Sequence, residues 1–342
     1  MNITRRRVIG ICAGVAPALI FRRPAAAQLP QPASQQPQPG PITLGKIRMR
    51  DVCILPDQKT KTYYMIGPAG RGVRAHTSKD LVNWVGPEVI FRAADDIWGD
   101  IPIVSIWAPE MHAYKDRYYL FLTFDTRHQF PEQWRNWLPR VTRGSTILAS
   151  EAPTGPFKPF QNHSTPPVDM MTLDGTFWVE DGIPYMVFCH EWVQITNGTI
   201  EYIRLKDDLS EAVGEPAQLF RGGDAPWSLS DKRYGNHVTD GPYLYKSKSG
   251  KLFMIWSSSG AGGYTTGIAI SDSGKLAGPW KQQAEPVFKD NGGHGMLFKT
   301  FEGQPMMVLH QPNNMNAQPH IFKMEDTGET MRIVSEFTET SH

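Results

Sequence analysis

The chain has 342 residues, including 31 Gly, 28 Pro and 11% aromatic residues, and its formal net charge is +1. Its 40% hydrophobic content excludes a mainly disordered chain, and a charge near zero provides no basic surface of the kind that binds nucleic acid. Gly and Pro residues that interrupt runs of Val, Ile, Tyr, Phe and Trp are typical of an all-β protein with many turns.

Residues 1–27 have the features of an export signal. A basic start, Arg5–Arg7, precedes the apolar stretch Val8–Phe21, and Ala25–Ala27 offers the small residues of a cleavage site. The apolar stretch is shorter than the roughly 20 residues that a spanning helix needs, so a retained membrane anchor is the weaker interpretation. The consecutive arginines resemble a twin-arginine signal, which predicts export of a folded protein to the periplasm or the cell exterior.

Removal of this segment changes the charge of the chain. It takes away five arginines and no acids, which leaves 30 basic residues against 34 acidic ones, a net charge of about −4. Neither charge is large enough to steer a charged partner, so a neutral substrate is expected. Residues 28–44 follow as a Pro/Gln-rich tether, and residues 45–342 form the predicted catalytic domain.

Five segments of this domain share one pattern, in which a polar or acidic opening leads into a short apolar strand, a turn and a second strand. The openings are Asp51–Leu55, Pro109–His112, Leu173–Phe177, Thr239–Tyr243 and Gly293–Leu297. The steps between one polar residue of each opening are 59, 64, 66 and 54 residues, and these polar residues are Asp51, Glu110, Asp174, Asp240 and His294. Repeats of four short strands at this spacing predict a five-bladed β-propeller in a single domain, with an irregular pair of β-sandwiches as the alternative.

The polar residues that open these segments are the candidate chemical groups. The first strand of each propeller blade lines the central channel, so residues that begin these strands are expected to converge on one mouth of it. The predicted set is Asp51, Glu110, Asp174, Asp240 and His294, joined by Asp125, Glu191, Ser257 and His310 from the ends of second strands. Several carboxylates in one pocket shift one another's pKa values, which suits acid and base catalysis and, above all, glycoside hydrolysis.

The order of these motifs resembles glycoside hydrolase family 43, whose members are five-bladed propellers that act on arabinose-, xylose- and galactose-containing glycans. The motifs that carry the resemblance are an early Asp in blade 1, Trp107–Glu110, Leu173–Gly175, Asp240–Pro242 and Gly293–Gly295. The resemblance implies an inverting mechanism in which Asp51 is the base and Asp174 tunes the acid. Asp240 stands where the family has Glu, so Asp240 and Glu191 are both retained as candidates for the general acid.

The resemblance also implies that His294 helps to hold a calcium ion in the channel, although a purely structural histidine is an equal alternative. No other cofactor is expected. Predicted contacts with the substrate are Trp107, Glu110, Trp134, Trp192 and His310. Trp134 belongs to residues 125–144, which interrupt blade 2 and are expected to wall off the pocket, with a plain surface loop as the alternative.

Together these features predict an exported, monomeric, exo-acting glycosidase that releases a terminal arabinofuranosyl or related unit from a plant or microbial polysaccharide. A β-xylosidase or a β-galactofuranosidase on the same scaffold is the nearest alternative. A propeller that binds glycans without catalysis is an alternative of another class, because an Asp occupies the position of the acid. Cys53 and Cys189 are expected to be buried free thiols.

Overall fold

The computed structural model describes residues 40–338, so the predicted export signal and most of the predicted tether lie outside the described residues. This part of the chain is almost entirely β-strand and forms five antiparallel sheets, with one short α-helix, α1 (Trp192–Ile195). Short 3-10 turns cover Leu44–Lys46 and Gly222–Asp224. Within residues 40–338, no helix has the length and apolar character needed to span a membrane.

Each sheet is one blade made of consecutive strands. Blade 1 contains β1 (Ile42–Thr43), β2 (Cys53–Asp57), β3 (Thr62–Pro68), β4 (Gly72–Ser78) and β5 (Asn83–Arg92). Blade 2 contains β6 (Ile103–Tyr114), β7 (Arg117–Thr126), β8 (Gly144–Ser150) and β9 (Lys158–Pro159). Blade 3 contains β10 (Thr172–Glu180), β11 (Ile183–His190), β12 (Thr199–Leu205) and β13 (Ala212–Arg221). Blade 4 contains β14 (Asp240–Lys246), β15 (Leu252–Gly260), β16 (Gly263–Ser271) and β17 (Trp280–Gln282). Blade 5 contains β18 (Gly293–Lys299), β19 (Pro305–Gln311), β20 (Gln318–Asp326) and β21 (Met331–Glu336).

The strands of each blade follow one another in space as they do in sequence. The first strands β2, β6, β10, β14 and β18 form the inner ends of the five sheets, and several of them contact the first strand of the next blade. This arrangement is a five-bladed β-propeller, as the repeat predicts. The hydrophobic core lies between neighbouring blades, where the second strands are buried almost throughout, for example Leu252–Ser258 and Met306–His310.

Blade 1 begins earlier than the sequence predicts. Ile42 and Thr43, which the predicted tether includes, pair with Trp84 and Asn83 on the outer strand of the same blade. Blades 1 and 5 contact each other where the ring closes, since Met49 N–H donates to the Ala317 carbonyl at 3.0 Å, and within residues 40–338 the two blades share no strand. The apolar cluster of blade 1 also includes Met296, Phe298 and Ile321 from blade 5.

Candidate active site

A cavity of about 540 Å³ lies where the first strands of all five blades meet. One residue at the start of each first strand, or close to it, lines the wall: Asp51, Trp107, Asp174, Asp240 and His294. The remaining lining residues are Arg50, Pro68, Ile106, Leu173, Glu191, Trp192, Val238 and Tyr264. Four of the five predicted opening residues therefore converge on one cavity.

A repeated backbone feature lies at three of these residues, Asp51, Asp174 and His294, and directly after the other two, Trp107 and Asp240. Asp51, Ala108, Asp174, Gly241 and His294 all have a positive φ, between 42° and 55°. In blades 2 to 5 the pairing register shifts at this point, as in a β-bulge. Such a conformation is uncommon for residues other than Gly and is found at functional sites, where the surrounding structure must hold it.

This feature explains why Glu110 does not line the cavity, in contrast to the prediction. The equivalent of Asp51 in blade 2 is Ala108, and Glu110 lies two residues further along the strand. Its buried carboxylate accepts hydrogen bonds at Oε2 from Thr176 Oγ1 at 2.6 Å and is 2.8 Å from His112 Nε2. Glu110 therefore braces neighbouring strands beneath the cavity instead of contacting its contents.

His310 fixes the backbone of Asp51 through a hydrogen bond. The backbone N–H of Asp51 donates to His310 Nδ1 at 3.2 Å, and His310 Nε2 lies 3.1 Å from Asn313 Oδ1. Burial lowers the pKa of His310 to about 4, so the ring is neutral at physiological pH, and these partners select the tautomer protonated at Nε2. His310 has no exposed surface and does not line the cavity, so the structure does not place it in contact with substrate as predicted.

Asp174 and His294 lie beside Asp51. His294 Nδ1 is 3.6 Å from Asp51 Oδ1 and 3.7 Å from Asp174 Oδ2. Asp174 Oδ2 also accepts the N–H of Gly241 at 2.9 Å. Burial raises the pKa of the Asp174 carboxyl well above its usual value, and the nearby charge of Asp51 raises it further. The charge of Asp51 thus favours the protonated form of Asp174, an arrangement that suits acid and base catalysis.

Asp240 completes the carboxyl cluster in the cavity. Its Oδ2 accepts a hydrogen bond from the phenol of Tyr264 at 2.9 Å. Burial raises the pKa of Asp240 to about 7, and the charge of Asp174 contributes to the rise, while His294 and the Tyr264 hydrogen bond oppose it. A carboxyl with a pKa near neutrality can both hold and donate a proton near neutral pH.

Glu191 also reaches the cavity but is tied to a cation. Arg143 Nη1 donates to both oxygens of Glu191 at 2.7 and 2.6 Å, and Arg143 Nε donates to Asp125 Oδ1 at 2.8 Å. Burial raises the pKa of Glu191, whereas the Arg143 charge lowers it. The guanidinium carbon lies 4.0 Å from the ring centre of Trp107, so these residues form one rigid wall of the cavity.

The predicted aromatic contacts separate into two groups. Contact of Trp107 and Trp192 with substrate stays a prediction, and both side chains line the cavity. Trp134 does not; it is 38% exposed on the insertion between β7 and β8, and it packs on Trp137 with ring centres 5.5 Å apart. Cys53 and Cys189 are buried free thiols, as predicted.

Sequence reasoning did not single out Arg143 as a partner of the candidate acid, nor Tyr264 as a cavity residue. Arg143 ends the insertion and precedes β8, and Tyr264 follows the hairpin turn between β15 and β16. The only sequence signal for Arg143 and Tyr264 was their position next to a turn at the end of a buried strand. The partner of Arg143, Glu191, lies in the next blade, and the partner of Tyr264, Asp240, lies two strands away in the same blade.

No group of three or more His, Cys, Asp or Glu side chains within residues 40–338 is arranged to hold a metal ion. His294 faces two carboxyl oxygens through one ring nitrogen, which differs from the shell of six to eight oxygens that calcium takes. The residues present do not form such a shell, so no chemical step is assigned to a metal, and the calcium ion stays a prediction.

The chain is similar to a known protein family and to solved structures. The family model described as glycosyl hydrolases family 43 matches residues 42–333. Among solved structures, an endo-arabinase from Bacteroides thetaiotaomicron VPI-5482 is 37% identical, with a TM-score of 0.75, over 84% of this chain and 97% of its own.

Two further solved structures share the fold at lower identity. An endo-1,4-beta-xylanase from Bacteroides thetaiotaomicron VPI-5482 is 22% identical, with a TM-score of 0.64 over 85% of this chain and 96% of its own. An alpha-L-arabinofuranosidase from Lactobacillus brevis is 17% identical, with a TM-score of 0.66 over 83% and 94% of the two chains. No curated protein matches the chain.

Proposed function

The chain belongs to glycosyl hydrolases family 43 and is a glycosidase that acts on a carbohydrate, and we propose that its substrate is an arabinofuranosyl glycan whose terminal unit it releases with inversion. The observation that carries the chemical part of this proposal is the cluster of Asp51, Asp174 and Asp240 around one cavity. The endo-arabinase that is 37% identical to this chain supports arabinose as the sugar.

In the proposed reaction Asp51 is the general base and Asp240 the general acid. Asp51 takes a proton from a water molecule, whose oxygen attacks the anomeric carbon of the sugar. The bond from that carbon to the leaving oxygen breaks, and Asp240 supplies the proton that the leaving oxygen needs. Asp51 suits the role of base because its side chain is 17% exposed to solvent, against 6% for Asp174.

Asp240 is a better candidate for the acid than Glu191. Both oxygens of Glu191 accept hydrogen bonds from the permanently charged Arg143, which favours the ionised carboxylate. Among the residues that the structure describes, no Lys or Arg pairs with Asp240, and the neighbouring Asp174 favours its protonated form. Asp174 accepts the Gly241 N–H directly beside Asp240, which suits a residue that sets the proton affinity and the position of the acid.

A comparison of leaving groups tests this assignment. Asp240→Asn and Glu191→Gln are each assayed on an unactivated arabinofuranosyl oligosaccharide and on an aryl arabinofuranoside with an activated phenol. We expect Asp240→Asn to lose at least about a hundredfold more activity on the oligosaccharide than on the activated phenol, which leaves without protonation. Equal losses on both substrates, or this pattern in Glu191→Gln instead, would contradict the assignment.

The mode of action has a second candidate. The solved structure that is 37% identical is named as an endo-arabinase, which favours cleavage within the chain. Product analysis early in the digestion of linear arabinan separates the two modes, since an exo-acting enzyme releases one product size and an endo-acting enzyme releases a mixture. The anomeric form of the first product, followed by NMR, tests inversion, and Asp51→Asn is the inactive control.

We further propose that the protein is an exported monomer. Export is supported by Arg5–Arg7 and the apolar stretch after them, which fit a twin-arginine signal. Fractionation of cells that express the full chain tests this, because replacement of Arg5 and Arg6 by Lys is expected to retain the protein in the cytoplasm. Sedimentation of the mature protein tests the monomer.

A further inference from the structure

The insertion between β7 and β8 is firmly attached to the wall of the cavity. Trp137 Nε1 donates to the Val193 carbonyl at 2.7 Å, and Arg140 Nη2 donates to the Gln194 carbonyl at 2.5 Å. Both acceptors belong to α1, which begins with the cavity residue Trp192. A bridge between Gln129 and Val141 closes the base of the insertion. The insertion is therefore a fixed extension of the cavity wall.

Four aromatic side chains continue from the cavity across this extension, and we call them the aromatic shelf: Trp134, Trp137, Trp192 and Tyr234. The ring centre of Trp137 lies 5.9 Å from that of Trp192, 5.0 Å from that of Tyr234 and 5.5 Å from that of Trp134. Trp192 forms the cavity end of the shelf, and Trp134, at 38% exposure, forms its outer end.

The outer ring is held in position although it is exposed. The guanidinium carbon of Arg140, which is itself only 5% exposed, lies 3.5 Å from the centre of the Trp134 ring. Trp134 Nε1 donates to Glu132 Oε1 at 3.1 Å, and that carboxylate is 3.2 Å from Arg140 Nη1. An oriented and exposed indole that is continuous with a binding cavity is suited to the flat apolar face of a sugar ring.

We propose that the aromatic shelf binds further sugar units of the same glycan chain whose reacting unit occupies the cavity, with Trp134 as the outermost contact. The insertion thereby lengthens the binding site instead of closing it. The inference rests on the proposed glycosidase function, since it assumes that a sugar unit enters the cavity. The proposed ligand of the shelf is a neutral oligosaccharide. The apolar face of a sugar ring stacks on an indole without any charge on the sugar.

Chain length provides the test. The wild type, Trp134→Ala and Trp134→Phe are assayed on linear arabinan oligosaccharides of increasing length and on an aryl arabinofuranoside, which has a single sugar unit. If the wild type cleaves only xylan, a xylan series and an aryl xyloside replace these substrates. For Trp134→Ala we expect KM to rise about tenfold on the longest oligosaccharide with no change on the aryl glycoside. Trp134→Phe retains a ring and is expected to remain close to wild type.

Leu138→Ala is the matched control, because Leu138 is 37% exposed on the same insertion. A Trp134→Ala variant with equal changes on all substrates, or with no change on any, would overturn the proposal. A change in sedimentation would instead identify the shelf as an interface between two copies of the chain. If the wild type cleaves neither glycan series nor the aryl glycoside, the proposed function has failed and the shelf proposal fails with it. A wild type that cleaves a series without dependence on Trp134 rejects only the shelf.

Discussion

The phenolic oxygen of Tyr264 lies 2.9 Å from Asp240 Oδ2, the carboxyl proposed as general acid. The ring of the same tyrosine stacks on His310, with centres 5.7 Å apart and an angle of 17° between the planes. His310 in turn accepts the backbone N–H of Asp51, the proposed base. One tyrosine therefore connects the supports of both candidate catalytic carboxyls.

Replacement of Tyr264 by Phe is expected to move the alkaline limb of the pH profile. The hydrogen bond from Tyr264 favours ionised Asp240, so its loss raises the pKa of Asp240 above about 7. Since the acid must be protonated to act, activity at alkaline pH should then persist to higher pH, by about one unit. The measurement is kcat/KM against pH, with Tyr185→Phe in blade 3 as the control. An unchanged limb would show that Tyr264 does not set the proton affinity of Asp240.

Asp240 is also expected to reduce stability at neutral and alkaline pH. The pKa of Asp240 in the folded protein, about 7, lies above the ordinary value of 3.8. The contribution of Asp240 to the free energy of unfolding is therefore fully present below pH 3.8 and is lost as the pH rises to about 7. Asp240→Asn removes this loss and should raise Tm at pH 8 by at least about 2 °C, with a smaller difference at pH 4. Asp272→Asn, an exposed carboxyl paired with lysines, should bring no such gain. A lower Tm for Asp240→Asn at pH 8 would contradict the expectation.

His310 is expected to act through Asp51 and not through the substrate. His310→Leu removes the acceptor of the Asp51 N–H, so kcat should fall by about a hundredfold while KM changes little. His310→Asn can place an amide oxygen near the position of Nδ1 and should recover most of kcat. The two variants are compared by steady-state kinetics and by thermal unfolding. A large rise in KM with unchanged kcat would instead indicate direct contact between His310 and the substrate.

Gly293 leaves room for the Tyr264 ring. A Cβ at Gly293 would lie 2.7 Å from two ring carbons of Tyr264 and 2.9 Å from Ser257 Oγ, which is too close for unbonded atoms. Gly293→Ala should therefore destabilise the fold by about 1–3 kcal/mol and reduce activity by displacing Tyr264. Gly295→Ala is the matched control, because its nearest neighbours would lie at ordinary distances of 3.5 and 3.6 Å. Similar losses of Tm in the two variants would refute the steric explanation.

Arg143 is expected to stabilise the cavity wall more strongly at neutral pH than at acidic pH. Arg143→Met leaves the buried carboxyls of Glu191 and Asp125 without their cation, which costs about 3–5 kcal/mol when both are ionised. Removal of the cation raises the pKa of Glu191 further, so the loss should shrink as the pH falls and Glu191 is protonated. Unfolding by urea at pH 4.5 and pH 7.5 measures the difference. A loss that does not depend on pH would indicate that packing on Trp107 is the main contribution.

Much of the site follows from local sequence signals. Alternating apolar strands and turn residues predict the blades, and an acidic residue at the start of a first strand predicts a place at the channel mouth. Asp51, Asp174, Asp240 and His294 lie where this reasoning puts them. Glu110 does not, because a β-bulge places Ala108 at the equivalent position and leaves Glu110 two residues further along the strand, where it contacts Thr176 and His112.

The five-bladed architecture and three of the four acids at the blade openings, Asp51, Asp174 and Asp240, were thus determined by the sequence alone, since strand periodicity and turn chemistry act over a few residues. The tertiary structure decided which acid is free to hold a proton. Arg143 meets Glu191 across 48 residues of sequence, Tyr264 meets Asp240 across 24, and His310 meets Asp51 across 259. Burial and neighbouring charge set the proton affinity of a carboxyl, and both exist only after the blades have closed into a ring.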